Sequence, residues 1–286
     1  MSQAAAGTQP SVRRTNLFKK GFLYVALIIT SITMVFPFLW MLSSSLKADN
    51  EIFTFPIKWI PETVYWENYY KVWTEIPFHL YYLNTIKLVV ITIAILLITC
   101  SLAGYAFSKI KFPERDGLFF LYLCTMMIPY QVIMIPQFIL MKNLGLIDTH
   151  AALVLLGVVN PFGVFLFRQF FSSIPDELLE AAKIDGLSEI GIYARIVLPL
   201  MKPAIATLVI FSFMHTWNDF LGPLIYLTKD ELFTLQLGMQ HFIGQYNTEY
   251  SLLMAAAVSS IVPTVLVYIL AQDYFVKGVV GSGVKG

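Results

Sequence analysis

The chain has 286 residues, of which 57% are hydrophobic and only 13% are charged. A typical soluble domain carries about 25% charged residues, so this composition indicates a protein embedded in a membrane. The net charge is +1, and no basic patch stands clear of the membrane flanks, which argues against nucleic acid as a partner. A span uses about 20 residues, so the length suits one helical bundle in the lipid bilayer without a separate soluble domain.

The N-terminal region is predicted to be disordered over residues 1–16, because it is polar and rich in small residues. Basic residues then precede a first apolar segment, as they do in a signal peptide. The apolar run is longer than the roughly 7 to 15 residues of a signal core, so we interpret it as a retained transmembrane helix.

Six apolar segments are each long enough to cross the hydrocarbon core. They are predicted at about residues 21–43, 84–107, 118–140, 151–171, 204–227 and 251–275. Unpaired backbone groups are costly in lipid, so these segments must be helical. The predicted fold class is therefore an all-α integral membrane protein, with one transmembrane domain over residues 17–275.

Prolines inside these segments predict kinks, which either shape the packing or serve function: Pro37, Pro129, Pro136, Pro161 and Pro263.

Basic residues predict the orientation. With the N-terminus inside, thirteen of the nineteen Lys and Arg residues fall on inner segments and five on outer loops. This distribution satisfies the positive-inside rule. Both termini, the C-terminal tail 276–286 and a polar loop at 173–203 are therefore predicted to be cytoplasmic.

The polar loop has the pattern of two short helices around a glycine. Ser173 can cap a first helix, and Gly186 stands where a left-handed helix end belongs. A second helix can start at Ser188 and carry an apolar stripe of Ile192, Ile196 and Leu200. Two helices lying flat on the bilayer are the alternative, but such helices are rich in Lys and Arg, and residues 176–189 hold five acids and one Lys.

The same loop resembles the EAA loop of ABC-importer permeases. The family pattern is Glu-Ala-Ala, three residues, Gly, nine residues, then Ile, any residue and Leu-Pro. The matching positions are Glu180, Ala181, Ala182, Gly186, Ile196, Leu198 and Pro199. This resemblance implies a type I ABC importer permease fold with six transmembrane helices.

In that family the first loop helix docks in a cleft of an ATPase subunit. The resemblance therefore implies that the loop couples this chain to an ATPase, through Glu180, Ala181, Ala182, Asp185, Gly186, Arg195, Leu198 and Pro199. The sequence contains no G-x-x-x-x-G-K-[ST] phosphate loop. We expect no catalytic residue, cofactor site or metal site on this chain, and we expect ATP and Mg²⁺ to bind to partner ATPase subunits.

Shorter strings resemble the second permease subunit of maltose-type oligosaccharide importers: MIPYQVIMIPQF (127–138), WNDFLGPL (217–224), WENYYKVW (66–73) and the tail FVKGVVGSGVKG (275–286). The family implies four further subunits: a second homologous permease, two ABC ATPases and an extracytoplasmic solute-binding protein. It also implies the cytoplasmic membrane of a bacterium or archaeon, and a C-terminal tail from Val279 that reaches between the ATPases.

Polar residues inside the spans are candidates for the translocation pathway or its gate: Gln131, Asn160, Asn218 and Asp219. A carboxylate such as Asp219 costs about 2.5 to 3.5 kcal/mol at mid-membrane, so it should face a cavity or a partner. The alternative for all four is a structural hydrogen-bonded cluster that ties helices together.

The outer loops have two interpretations as well. The aromatic residues between 59 and 82 either form an interfacial belt or contact a sugar or a binding protein. In the maltose importer the loop that corresponds to residues 229–249 reaches into the binding protein. By that resemblance Phe233, Gln240 and Tyr246 are candidate contacts.

The function that these features predict is a carbohydrate ABC-importer permease. One alternative is an ABC permease for another solute, such as an amino acid, phosphate or a glycerol phosphate ester. A stand-alone secondary transporter or channel is the other, but apart from Asp219 the spans hold little acidic chemistry for ion coupling.

Overall fold

A computed structural model describes the backbone of residues 11–244 and 248–281, and the side chains of residues 19–244 and 248–272. The chain folds into α1 (Ser11–Ser45), α2 (Asp49–Ile52), α3 (Glu67–Glu75), α4 (Phe78–Lys109), α5 (Arg115–Cys124), α6 (Tyr130–Asn143), α7 (His150–Gly157), α8 (Pro161–Ser172), α9 (Asp176–Ile184), α10 (Glu189–Ile192), α11 (Leu198–Leu200), α12 (Lys202–Trp217), α13 (Leu221–Tyr226), α14 (Leu235–Gly238) and α15 (Tyr250–Gly281). A π-helical turn (Tyr193–Val197) lies between α10 and α11.

Within the described residues, three helices are long and apolar enough to cross a membrane unbroken, over Lys19–Ser45, Phe78–Lys109 and Tyr250–Gln272. The number of candidate spans rises to six if each bent helix pair counts as one. The bends are 99° between α5 and α6, 41° between α7 and α8, and 76° at the entry to α12.

The predicted kinks divide into two groups. Pro129 is the N-cap of α6 and Pro161 is the first residue of α8, so both stand at real breaks, where the missing proline N–H leaves nothing unpaired. Pro37, Pro136 and Pro263 lie inside helices that continue past them.

The helices extend beyond several predicted limits. α1 begins at Ser11, inside the segment 1–16 for which the sequence predicts disorder, and α15 runs to Gly281, past the predicted end at 275. The sequence limits follow the apolar residues, whereas polar residues such as Arg13 and Arg14 also propagate a helix readily. Residues 1–10 and 282–286 lie outside the described part of the chain.

The central contact of the bundle is between α4 and α8, which approach closely at glycines. A Cβ on Gly104 would lie 2.5 Å from Phe167 Cβ, and one on Gly163 would lie 2.7 Å from Cys100 Sγ. Small residues let two helix backbones come together, which is the usual packing device in membranes.

Polar contacts mark the two ends of this bundle. At one end Lys109, the last residue of α4, contacts Asp176 at the start of α9. At the other end Tyr81, in the first turn of α4, donates to Asp230 in the loop after α13. We refer to these as the inner and outer ends, following the orientation that the basic residues predict.

Candidate functional site

The short helix α9 presents different faces to the protein and to solvent. Leu179 and Ala182 pack into the core formed by the inner ends of α4 and α8, and Ala182 is only 3% exposed. Glu180 and Ala181 are exposed on the other face. The two alanines of the motif therefore have different surroundings: Ala182 fits against the chain's own core, and Ala181 leaves space for another molecule.

Gly186 ends α9 in a Schellman motif, as the sequence predicts for a left-handed helix end. Its φ is +85°. The N–H of Leu187 donates to the carbonyl of Ala182, and the N–H of Gly186 donates to that of Lys183, both at 3.0 Å. Leu187 also packs on the core that contains Ala182, which is the apolar contact typical of this motif.

The start of α9 differs from the prediction. Ser173 does not cap α9, since its hydroxyl donates to the carbonyl of Phe170 at 2.7 Å and so satisfies the end of α8. Pro175 is the N-cap residue instead, and Asp176 and Glu177 fill the first turn. These acids face the positive end of the helix dipole, as expected.

The second segment begins where the sequence predicts and then changes register. The Ser188 hydroxyl accepts a hydrogen bond from Gly191 N at 3.2 Å, which caps α10. The π-helical turn after it adds one residue to the repeat. The residues buried most deeply are consequently Ile192, Val197 and Met201, rather than the predicted stripe of Ile192, Ile196 and Leu200.

We call the segment 176–200, which holds α9, the turn at Gly186 and the helical segment after it, the hairpin. Its solvent side combines apolar and charged residues. Ile184 is 85% exposed and Ile190 is 78% exposed, although both lie outside the long apolar spans. Within the described side chains, Glu180, Asp185 and Arg195 make no hydrogen bond or ion pair. We call the exposed side chains of Glu180, Ala181, Ile184, Asp185, Ile190 and Arg195 the docking face, because exposed apolar groups rimmed by free charges are typical of a surface that binds a partner.

Leu198 and Pro199 complete the motif but lie beside the docking face. Leu198 is half-buried and Pro199 is exposed in α11. They precede the 76° bend into α12. Their position suits a rigid corner that carries the hairpin into the next span.

Three side chains of α4 tie the hairpin to this helix. Lys109 Nζ, on a side chain that is 7% exposed, donates to Ile174 O and to Asp176 Oδ1, both at 2.6 Å. Tyr105 Oη donates to Glu189 Oε2 at 3.2 Å. One turn further into the membrane, the hydroxyls of Ser101 and Tyr193 lie 2.7 Å apart. These hydrogen bonds join the hairpin directly to a membrane-spanning helix.

Ion pairs strengthen one of these links and the hairpin itself. The Lys109 ammonium holds the pKa of the Asp176 carboxyl below its ordinary value of 3.8. Glu189 also forms an ion pair with Lys183 at 2.5 Å, which joins α9 to α10 across the glycine turn.

A second basic residue organises the inner end of the bundle. Arg168 of α8 donates to Phe107 O at 3.1 Å and to Asp116 Oδ1 at 2.6 Å, and its guanidinium carbon lies 3.9 Å from the centre of the Phe119 ring. The Arg168 side chain of α8 thus contacts both α4 and α5. In the sequence, Lys109 and Arg168 serve only as basic residues that indicate the membrane orientation. Their contacts are not predicted, because the local pattern carries no information on partners so far away in the chain.

The four candidate pathway residues all lie at or beside breaks in the spans. Asn160 precedes α8 and accepts a hydrogen bond from Gly163 N at 2.8 Å. Asp219 lies between α12 and α13 and accepts one from Gly222 N at 3.1 Å. Asn218 donates to Met214 O at 2.8 Å, and Gln131 is exposed in the first turn of α6. The contacts of Asn160 and Asp219 satisfy backbone groups that a broken helix leaves free.

The outer loop after α13 is fixed to α4 by a compact cluster. Tyr81 Oη donates to Asp230 Oδ1 at 2.6 Å, and His241 Nε2 lies 2.7 Å from the same oxygen. Of the predicted binding-protein contacts, Phe233 is half-buried against Tyr81, whereas Gln240 is exposed. Tyr246 lies outside the described residues.

A neighbouring contact holds the beginning of this loop. Asp148 accepts hydrogen bonds from the backbone and the hydroxyl of Thr228, at 2.6 and 2.8 Å. These bonds hold the pKa of the Asp148 carboxyl below its ordinary value. The first part of the outer loop is therefore fixed to the bundle.

These features indicate a class of protein: a helical membrane protein with broken spans and a polar hairpin that exposes apolar and charged side chains. A family model described as "Binding-protein-dependent transport system inner membrane component" matches residues 97–281. The chain belongs to this family, and it is a membrane-spanning permease component.

Individual relatives agree over nearly the whole length. The arabinooligosaccharides transport system permease protein AraQ of Halalkalibacterium halodurans is 36% identical over 269 residues, which are 93% of this chain and 95% of the relative. The sn-glycerol-3-phosphate transport system permease protein UgpE of Yersinia pestis is 33% identical, with 91% of this chain and 96% of the relative covered.

A solved structure confirms the fold. A chain of a bacterial ABC transporter involved in the import of the acidic polysaccharide alginate superposes with a TM-score of 0.83 and 27% identity. The match covers 93% of this chain and 100% of that chain. The type I importer permease fold, expected from the resemblance of the loop, is thereby confirmed.

Proposed function

We propose that this chain is one of two homologous permease subunits of an ATP-driven importer for oligosaccharides, and that its inner hairpin couples transport to ATP hydrolysis. The observation that carries the coupling role is the docking face, which is free for a partner on one side and tied to α4 by Lys109 on the other. An ATPase subunit bound there would move α4 whenever it moved the hairpin.

The partner ATPase supplies the chemistry. ATP and Mg²⁺ would bind to two such ATPase subunits, since this sequence holds no phosphate loop. This chain contributes Glu180, Ala181, Asp185, Gly186 and Arg195 to recognition or to the shape of the docking hairpin, and Ala182, Leu198 and Pro199 support it.

Transport then follows from two linked equilibria. A loaded extracytoplasmic binding protein at the outer loop, where Gln240 is exposed, and ATP at the inner side would both favour an outward-facing state. ATP hydrolysis would restore the inward-facing state. The breaks at Asn160 and Asp219 are places where the spans can bend between the two states. This chain forms one half of the pathway, and the second permease subunit forms the other half.

The carbohydrate assignment is supported by what is named for the relatives. The AraQ relative is named for arabinooligosaccharides, and the alginate importer takes up a polysaccharide. A glycerol phosphate ester is the solute to test against it, because UgpE, named for sn-glycerol 3-phosphate, is 33% identical.

ATPase stimulation in the reconstituted importer tests the proposal. The complex is placed in proteoliposomes, and its cognate binding protein is added unloaded, with an arabino-oligosaccharide, or with sn-glycerol 3-phosphate. We expect stimulation by the oligosaccharide. Stimulation by the glycerol phosphate alone would overturn the substrate class, and ion-driven uptake by this chain without any ATPase subunit would overturn the ABC mechanism.

A further inference from the structure

The outer side of the chain carries a second unassigned surface, in the segment 53–60 between α2 and α3. We call this the outer segment. Phe55 is 94% exposed and Ile60 is 83% exposed, and Phe53 and Ile57 are exposed as well. Such a concentration of exposed apolar side chains on a non-helical segment requires a partner other than water.

The outer segment does not project away from the bundle; it folds back along α1. The Trp59 ring lies 4.9 Å from the ring of Phe36 and 5.4 Å from that of Trp40. At 1.5 Å per residue, these two residues of α1 lie about 14 and 8 Å below the helix end at Ser45. The Trp59 ring therefore lies below the level at which α1 ends.

Further contacts hold the segment in this position. Lys47 Nζ donates to Lys58 O at 2.5 Å, and the Ser43 hydroxyl donates to Trp59 O. At the other end the ring of Phe53 packs edge-on against Tyr250, the first residue of α15, with centroids 4.9 Å apart. The segment is thus fastened to the outer ends of both α1 and α15.

The surroundings of α1 indicate what covers this surface. Residues 19–39 of α1 are exposed on every side, and the helix is apolar. A helix that is apolar all round and exposed within its own chain lies at membrane level, against lipid or against another membrane-spanning subunit. Because Trp59 packs on Phe36 within this helix surface, the outer segment is continuous with it.

The chemistry of the outer segment suits the headgroup region of a membrane. Its one charged residue, Lys58, is paired with Glu62 at 2.5 Å. Pro56 lacks a backbone N–H, which removes one donor that lipid would leave unpaired. Trp and Lys are the residue types that lie at membrane interfaces, with the indole at headgroup level and the ammonium directed toward water.

We propose that the outer segment is a membrane anchor that inserts Phe55, Ile57 and Ile60 into the interface of the outer leaflet. It would fix the outer ends of α1 and α15 at a set depth. This inference is independent of the transported solute and of the ATPase. Of the two interpretations of the outer aromatic residues, the anchor assigns Trp59 to the membrane interface rather than to a contact with a sugar or a binding protein.

Spin labels test the proposal in the importer complex reconstituted in phospholipid vesicles. With Cys100 and Cys124 replaced by Ala, nitroxides are attached to single cysteines at Phe55→Cys and Ile60→Cys. Val35→Cys, within the membrane-spanning part of α1, is the membrane control, and Glu75→Cys, exposed at the end of α3, is the aqueous control. Collision rates with dissolved oxygen and with a water-soluble nickel chelate are measured at each site.

We expect the oxygen-to-nickel ratio at Phe55 and Ile60 to shift from the value at Glu75 toward that at Val35. A ratio equal to that at Glu75 would show a surface in water and overturn the anchor. Weak collision with both reagents would show a surface covered by protein and would also overturn it. A second measurement uses the protein with its native cysteines. The Trp59 emission is the difference between the fluorescence of the wild type and that of Trp59→Phe, and lipids brominated near the headgroup should quench it. If this difference is not quenched, Trp59 is not inserted.

Discussion

Lys109 Nζ lies 2.6 Å from Asp176 Oδ1, so the last residue of a membrane-spanning helix contacts the first residue of the hairpin that carries the docking face. The same nitrogen donates to Ile174 O. Because the Lys109 side chain is almost completely buried, this contact is shielded at one end and open to water at the Asp176 end. It joins the docking hairpin directly to the bundle.

Replacement of Lys109 by Met should uncouple the importer. Met keeps the apolar stem but removes both hydrogen bonds, so the hairpin can move without α4. We expect the solute transported per ATP hydrolysed to fall by about 5-fold or more, the lower end of typical coupling between sites. Measurement in proteoliposomes gives both rates. Lys109→Arg is the control, since it retains the positive charge and the donors; equal loss in both variants would contradict the coupling role.

The acid dependence of the same contact has a definite sign. The pKa of Asp176 is lowered in the folded protein, so the stability it contributes is present above the ordinary pKa of 3.8 and is lost as pH falls through the lower folded value. The difference in thermal stability between the wild type and Asp176→Asn should therefore be constant from about pH 5 to 8, where an aspartate is ionised in both states, and shrink in more acidic buffer. A difference that disappears near neutral pH would show that another group is responsible.

Gly186 offers a test of the hairpin shape. Its φ is +85°, and nothing lies within 4 Å of the place that a Cβ would occupy, so Gly186→Val introduces backbone strain without a clash. We expect a cost of about 1–2 kcal/mol at this turn. In proteoliposomes, solute uptake and binding-protein-stimulated ATPase should both fall.

Gly145 is the matched control for this substitution. It ends α6 in the same Schellman motif, at φ +69° and with nothing within 4 Å, but at the outer end of the bundle. Gly145→Val should introduce similar strain while leaving ATPase stimulation near the wild-type level. A comparable loss in both variants would show that strain alone, not the docking hairpin, is the cause.

Sequence alone predicts the spans and the glycine turn because apolar runs and Gly186 are local signals. It does not predict the buried register after α10, since the π-helical turn shifts burial from Ile196 to Val197. It also misses the role of Lys109, because a contact with Asp176 depends on how α4 and α9 meet. The break at Asp219 is hidden from hydropathy, which treats residues 204–227 as one apolar run although α12 ends at Trp217.

Ala181 and Ala182 should respond differently to added bulk. Ala181 is exposed on the docking face, so Ala181→Leu should leave thermal stability unchanged but reduce the amount of ATPase subunit that copurifies. Ala182 is buried, so Ala182→Leu should overpack the core and cost about 1–3 kcal/mol. Full ATPase copurification with Ala181→Leu would remove that residue from the docking face.

Two substitutions of Asp219 distinguish whether its carboxylate caps a helix or acts as a charge in the translocation pathway. Its Oδ1 accepts from Gly222 N at 3.1 Å, at the start of α13. Asparagine keeps this acceptor and removes the charge, whereas alanine removes both at a cost of about 1 kcal/mol, typical of a lost cap. For a structural cap we expect Asp219→Asn to transport at the wild-type rate, and Asp219→Ala to show reduced thermal stability. Loss of uptake in Asp219→Asn, with thermal stability and ATPase assembly unchanged, would instead assign the carboxylate to the pathway, because only the charge has been removed.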